Sequence, residues 1–222
     1  MPFPVDADGV WRQVLRPCRA DTPLPALFLD RDGTIVEEVG HLRHAEDVRL
    51  IPGAAAVIAS ANRIGLPVVI VTNQSGIGRG LFDWADFAAV QARTLALLAT
   101  EGASIDAVLA CPHHPDAAPP WRHADHPARK PNPGMLRSAA SLLPIDLAAS
   151  WIVGDRASDL AAGLAAGLAG GLHLTGSWGA DRREQVAASA LSNGTGFQAV
   201  SAPSLASAPA LLPLFTERSA GG

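Results

Sequence analysis

The stretch Leu24-Pro25-Ala26-Leu27-Phe28-Leu29-Asp30-Arg31-Asp32-Gly33-Thr34 governs how the rest of the chain is read: a short apolar run stops abruptly at a charged triplet and a glycine. An unbroken apolar run of this length suits a strand buried on both faces in the middle of a parallel sheet. Three further runs share the design. Leu66 to Val71 ends in Thr72-Asn73, Ile105 to Ala110 ends at Cys111, and Trp151 to Val153 ends in Gly154-Asp155. Helical patterns lie between and after them. Pro52-Gly53 leads into AAAVIASANRIG, and Asp83 with Asp86 reads as a capping box opening the next helix. Pro133-Gly134 opens MLRSAASLL, and Ser158 to Gly167 forms a fourth helix. This alternation predicts an α/β fold, a three-layer Rossmann-like parallel sheet with helices on both faces. Ligands of such sheets bind beyond the carboxyl ends of the strands, where Asp30, Thr72 and Asp155 fall together.

At 222 residues, 48% hydrophobic and 17% charged, the chain has enough apolar surface for one folded core. A net charge of −4 without any run of Lys or Arg excludes a nucleic-acid partner, so a phosphorylated ligand needs a local basic spot. Two cysteines, Cys18 and Cys111, make no disulfide framework, and the N-terminus has no apolar signal region. A cytoplasmic protein is expected. Leu160 to Gly179 lacks Asp, Glu, Lys and Arg, but it is mostly Ala and Gly and holds His173, so it does not read as a membrane span. Gly163 and Gly167 within it fit close packing of a helix on the sheet better than a helix dimer, and a monomer is expected. The expected organisation is an N-terminal extension over residues 1–23, a core over 24–180 and a C-terminal completion with a frayed tail over 181–222. Residues 111–134 hold seven prolines and four histidines, a long ordered loop or a metal-stapled excursion.

Chemistry gathers at the strand ends. Asp30 and Asp32 leave the first strand together, where one carboxylate can act as nucleophile and the other as proton donor while a divalent cation shields their repulsion. A calcium EF-hand also opens with Asp-x-Asp, but it needs Gly at its sixth position, which here is Ile35. Thr72-Asn73-Gln74-Ser75, followed by a Gly-rich turn, supplies a hydroxyl, amides and backbone N–H groups suited to a phosphate. Arg129-Lys130 brings the local positive charge, Lys130 as a point charge and Arg129 as a bidentate fork. Asp155 can complete a hard oxygen set for Mg²⁺, and Asp159, four residues on, shares its helical face as a supporting group.

Taken in order, FLDRDGTI, VTNQSGIGRG, CPHHP, RKPNPGML and VGD resemble the haloacid dehalogenase superfamily of phosphohydrolases, and within it the heptose 1,7-bisphosphate phosphatase group, with histidinol phosphatases as near relatives. The resemblance spans about Leu24 to Gly176. It implies a HAD-like fold with minimal or no cap domain and an aspartyl-phosphate mechanism. Asp30 would attack phosphorus, Asp32 would serve as acid and base, and Thr72 and Lys130 would hold phosphoryl oxygens. Mg²⁺ would bind the Asp30 carboxylate, the Asp32 carbonyl and Asp155, and the substrate would be a small phosphorylated sugar. Asp32 favours phosphate transfer over dehalogenation, because dehalogenases of the superfamily lack that residue.

Two departures from the group stand out. Its loop is commonly stapled by zinc through Cys-x-His and Cys-x-Cys; Cys111, His113 and His126 match, but Ala128 replaces the last ligand, and His123 or Asp125 would have to substitute. The other reading of this loop is a Pro-rich segment held by packing. Glu38-Val39-Gly40-His41 stands where relatives often carry Gly-Tyr, in a segment facing substrate. The alternatives to a heptose-bisphosphate phosphatase are a histidinol phosphatase, an enzyme for another small phosphate ester, or a sugar-phosphate binding protein without turnover.

Overall fold

The computed structural model describes residues 3–17, 20–176, 181–192 and 196–216. Seven strands form one sheet: β1 (Trp11–Val14), β2 (Leu27–Leu29), β3 (Val68–Asn73), β4 (Ala107–Cys111), β5 (Trp151–Gly154), β6 (Gly170–Leu174) and β7 (Gln198–Ala202). Their order is β1-β4-β3-β2-β5-β6-β7, and every pairing is parallel except β1 on β4. The helices are α1 (Ala54–Arg63), α2 (Ser75–Gly78), α3 (Trp84–Thr100), α4 (Gly134–Leu142), α5 (Ala157–Ala166), α6 (Arg182–Ala190) and α7 (Ala208–Leu211).

The central strands are apolar up to their carboxyl ends because both of their faces are covered. Leu27, Leu29, Val68 and Ile70 pack into one core with residues of α1, α3 and the C-terminal segment. Phe28, Val69 and Val71 point the other way, into a second core with α4 and α5. This period-two division between two apolar layers gives the three-layer architecture. Asp83 starts α3 as the sequence predicts: its carboxylate accepts from the N–H groups of Ala85 (2.7 Å) and Asp86 (3.0 Å), while Asp86 accepts from the Asp83 N–H.

The apolar stretch from Leu160 divides between α5 and β6, with its last residues outside the described set. Among the described residues, no helix is long and apolar enough to cross a membrane. A Cβ at Gly163 would stand 2.7 Å from Ile152 Cγ2, so this glycine lets α5 lie close against the sheet. The segment expected as an N-terminal extension contributes β1, the antiparallel edge strand. Cys18 and the expected frayed end at 217–222 lie outside the described residues.

Candidate active site

The strand order reverses across β2 and β5, and the crevice beyond that switch point gathers the acidic residues. Asp30 follows β2 and donates its N–H to the Val153 carbonyl at 2.9 Å, while Asp155 follows β5. Gly33, at φ +78°, turns the chain back so closely that a Cβ there would meet Asp155 Oδ2 at 2.6 Å. His173, on neighbouring β6, sets its Nε2 3.1 Å from the Asp155 carbonyl. Nδ1 of the same ring is buried without a partner, which makes Nε2 the donor.

Lys130 lies beneath this acidic group, 3% exposed. Its ammonium donates to Asp30 Oδ1 (2.8 Å), Asp159 Oδ1 (2.6 Å) and the Val71 carbonyl (2.8 Å), which uses all three protons. Burial works against the charge on Lys130, but the carboxylates of Asp159 and Asp30 outweigh it and raise its pKa. Asp159 also accepts the Arg156 N–H at 3.0 Å, so both of its oxygens are engaged. It approaches so closely that a Cβ on Gly154 would lie 2.1 Å from its Oδ2.

Across the cleft, Asp32 is held by Arg31, whose Nε and Nη2 reach both carboxylate oxygens at 3.1–3.3 Å. The Arg31 guanidinium is buried and sits 5.1 Å from the centre of the Phe87 ring. Sequence reasoning missed Arg31, because between two acidic residues it reads as a solvated spacer. Only the hydrophobic run before it hints that its side chain turns inward.

Asn73 and Gln74, expected to donate to a phosphate, line the cleft and are also hydrogen-bonded within the protein. Asn73 clamps the Lys130 backbone, donating Nδ2 to its carbonyl (3.0 Å) and accepting its N–H (3.1 Å). Gln74 Nε2 donates to Asp32 Oδ2 (2.8 Å) and to Thr72 Oγ1 (2.9 Å), which uses both amide protons. Thr72, Ser75 and Arg129 line the resulting cleft of about 310 Å³, together with Glu38 and His41 at the segment that departs from Gly-Tyr.

Carboxylate oxygens of Asp30, Asp155 and Asp159 lie within 4.8 Å of one another. Asp159 is spent on Lys130 and the backbone, so Asp30 and Asp155 remain for a cation. Burial above all pushes Asp30 up to about 8 despite Lys130, and pushes Asp155 up to about 7 with Asp159 beside it. Buried carboxylates in excess of positive charge fit a hard divalent cation.

Over residues 127–193 the chain matches a family described as HAD-hydrolase-like. It is 49% identical over 159 residues to the D-glycero-beta-D-manno-heptose-1,7-bisphosphate 7-phosphatase of Mesorhizobium japonicum, covering 72% of this chain and 73% of that protein. The chain belongs to this family of HAD-like phosphatases. Among solved structures, a Mesorhizobium loti protein superposes with a TM-score of 0.76 at 48% identity, over 79% of this chain and 84% of that one. The D,D-heptose 1,7-bisphosphate phosphatase of B. bronchiseptica, complexed with magnesium and phosphate, gives a TM-score of 0.69 at 32% identity, over 82% and 94%.

In this phosphatase the expected zinc ligands do not fit a four-coordinate site. Carbonyl oxygens of Asp8 (2.8 Å) and Trp121 (3.2 Å) face the two ring nitrogens of His113, so neither nitrogen is open to a cation. His126 stacks on His113 at 3.7 Å, and its Nδ1 accepts the Ala128 N–H at 3.1 Å. Cys111 Sγ is 3.9 Å from that nitrogen, and burial pushes its thiol up to about 11. Ala128 contributes no donor and is itself buried. Nor do the substitutes complete a set: His123 Nδ1 accepts the Asp125 N–H, Asp125 Oδ1 accepts from Asn132, and among the described residues no three ligand atoms of this loop converge as they do at Asp30, Asp155 and Asp159.

Proposed function

We propose that this phosphatase removes the 7-phosphate of D-glycero-D-manno-heptose 1,7-bisphosphate, with Mg²⁺, through an aspartyl phosphate. The observation that carries this reading is the placement of Asp30, held by Lys130 and flanked by Asp155, opposite a second carboxylate, Asp32, fixed by Arg31 and Gln74. Asp30 attacks phosphorus, and the bond from phosphorus to the sugar oxygen breaks. Asp32 gives its proton to that oxygen, and the sugar leaves as an alcohol. Asp32 then takes a proton from water, whose oxygen attacks the acyl phosphate. This step regenerates the Asp30 carboxylate and releases inorganic phosphate. When bound by Asp30, Asp155 and the Asp32 carbonyl, Mg²⁺ supplies charge neutralisation at the phosphoryl oxygens. Thr72 and Ser75 hold the transferring group above the fixed positive charge of Lys130, and Arg129 reaches toward the far end of the substrate. Asn73 and Asp159 act through Lys130 by fixing its backbone and its ammonium.

The test of substrate is phosphate release from both anomers of the heptose bisphosphate, from sugar monophosphates and from histidinol phosphate. The bisphosphate is expected to lead in kcat/KM by about tenfold or more, which corresponds to about 1.4 kcal/mol of transition-state binding. A lead for histidinol phosphate would sink the sugar assignment. Binding of sugar phosphates without any release would point to the non-catalytic alternative.

The raised carboxylates also tie Mg²⁺ to pH. Asp30 and Asp155 lie at about 8 and about 7 without metal, above their ordinary 3.8, so the folded chain keeps protons there that the unfolded chain has lost. Their contribution to stability is full below the unfolded value and is lost as pH rises through the folded values. The metal-free protein should therefore lose Tm as pH rises from about 4 to about 8, while the Mg²⁺-induced gain in Tm grows mainly between about pH 6 and about pH 8.5, where the folded carboxyls give up their protons. Thermal unfolding with and without Mg²⁺ checks this; a gain that shrinks with rising pH would remove Asp30 and Asp155 from the metal site.

A further inference from the structure

The loop whose side chains do not complete a four-coordinate zinc site is held from another direction. Residues Asp6 to Val10 form a tight turn just before β1: Gly9 donates its N–H to the Asp6 carbonyl (3.0 Å), and Asp6 Oδ1 accepts the Val10 N–H (2.9 Å). Arg12 fixes the other Asp6 oxygen at 2.7 Å. Because β1 pairs with β4, with Trp11 opposite Ala110, the turn sits beside the strand end from which the loop departs.

The turn makes two contacts with the loop. The Asp8 carbonyl meets His113 Nε2 at 2.8 Å, and the Trp121 ring lies on the bare backbone of Gly9, where a Cβ would stand 2.0 Å from Cζ3. Gly9 has φ +74°, so both its conformation and the ring above it require glycine. Val10 is fully buried in the same apolar cluster as Cys111 and Ala128. On the far side of the same loop residue, the His113 carbonyl accepts Arg129 Nη1 at 3.0 Å, next to Lys130 and at the edge of the cleft.

We propose that the Asp6–Val10 turn takes the place of a zinc staple and is a positioning element for Arg129. It fixes His113 and Trp121, and through the His113 carbonyl it sets the guanidinium toward the end of the substrate remote from the scissile phosphate. The proposal rests on the reading of Arg129 as a contact for that remote anionic group. Gly9 and Trp121 touch neither the cleft nor its acidic residues, so they should affect recognition and not the chemical step.

The experiment uses the full chain and has three arms. Elemental analysis of protein purified without chelator should find less than about 0.1 zinc per chain, and a strong zinc chelator should leave the Tm unchanged in the presence of Mg²⁺. Zinc near one per chain, or unfolding by the chelator, would overturn the proposal. Trp121→Ala and Gly9→Val should raise KM for the sugar bisphosphate about tenfold. Both should leave kcat on p-nitrophenyl phosphate, which has no remote anion, within about twofold. Trp121→Phe should restore most of the lost affinity by covering Gly9 again. An unchanged KM, or an equal fall in kcat on both substrates, would show that the turn does not place Arg129. Should Gly9→Val fail to fold, the pair Trp121→Ala and Trp121→Phe decides alone. Arg129→Ala separates the two levels: if it leaves KM for the bisphosphate unchanged, the reading of Arg129 fails. If Arg129→Ala raises KM and the turn variants do not, only the positioning role fails.

Discussion

Asp30→Asn is expected to lower phosphate release by roughly 10⁴-fold or more, the scale seen when a nucleophile is deleted from an otherwise intact site. The amide is nearly the same size and still accepts a proton from Lys130 through its carbonyl oxygen, so the fold and the cleft should persist. What disappears is the anionic oxygen that forms the bond to phosphorus. The variant also removes a buried carboxylate whose pKa burial raises, so its metal-free Tm at about pH 8 should match or exceed that of the parent chain. Rapid quench with labelled substrate checks the chemistry: the parent should accumulate a phosphoprotein that hydroxylamine cleaves, and the variant should form none. Turnover within about a hundredfold of the parent would assign the nucleophile to another residue.

Lys130→Met should be damaging in a different way, through stability as well as turnover. Lys130 is the cation shared by Asp30 and Asp159, and all three lie almost wholly out of solvent. Removing one partner of such a group leaves buried charge without compensation, at a cost of about 3–5 kcal/mol. The loss has a predictable sign with pH. Lys130 is what holds Asp30 down against its burial, so without it that carboxyl is raised further, and the destabilisation should change little below about pH 7 and grow as pH rises through about 8. Denaturant unfolding across that range, read alongside the parent, tests it. A destabilisation independent of pH would mean that Met fails by shape and that the ion pairs contribute little. Turnover should fall by about a thousandfold or more at every pH, since the transferring group loses its fixed positive charge.

Much of this arrangement is legible in the sequence because strand ends leave a sharp signature. An apolar run long enough for two-sided burial, cut off by Asp, Thr or Gly-Asp, marks both the strand and the edge at which chemistry sits, and β2, β3, β4 and β5 are read this way. The other strands carry no such mark. β1 is Trp-Arg-Gln-Val and half solvated, while β6 begins with two glycines that are there because Trp151, Leu160 and Phe197 fill the space a Cβ would need. Residue type reveals even less about which way a polar side chain turns. Asn73 and Gln74 read as phosphate donors but are engaged with Lys130, Asp32 and Thr72, and Arg31 turns under Asp32 onto Phe87. The histidines of the loop likewise matched a ligand spacing, while the carbonyl at Asp8 that occupies His113 lies more than a hundred residues away in the chain.

The position of β2 in the middle of the sheet also governs how the chain can mature during its synthesis. β4, β3 and β2 can pair once Cys111 has been made, but the other edge of β2 stays open until Trp151–Gly154 docks against it. Until then the nascent chain presents an unpaired edge of three fully apolar residues, the kind of surface on which neighbouring chains or chaperones engage. The segment that closes this edge also delivers Asp155, with Asp159 following directly for Lys130. Protection from misassociation and competence to grip a phosphoryl group therefore arrive in one step, late in translation.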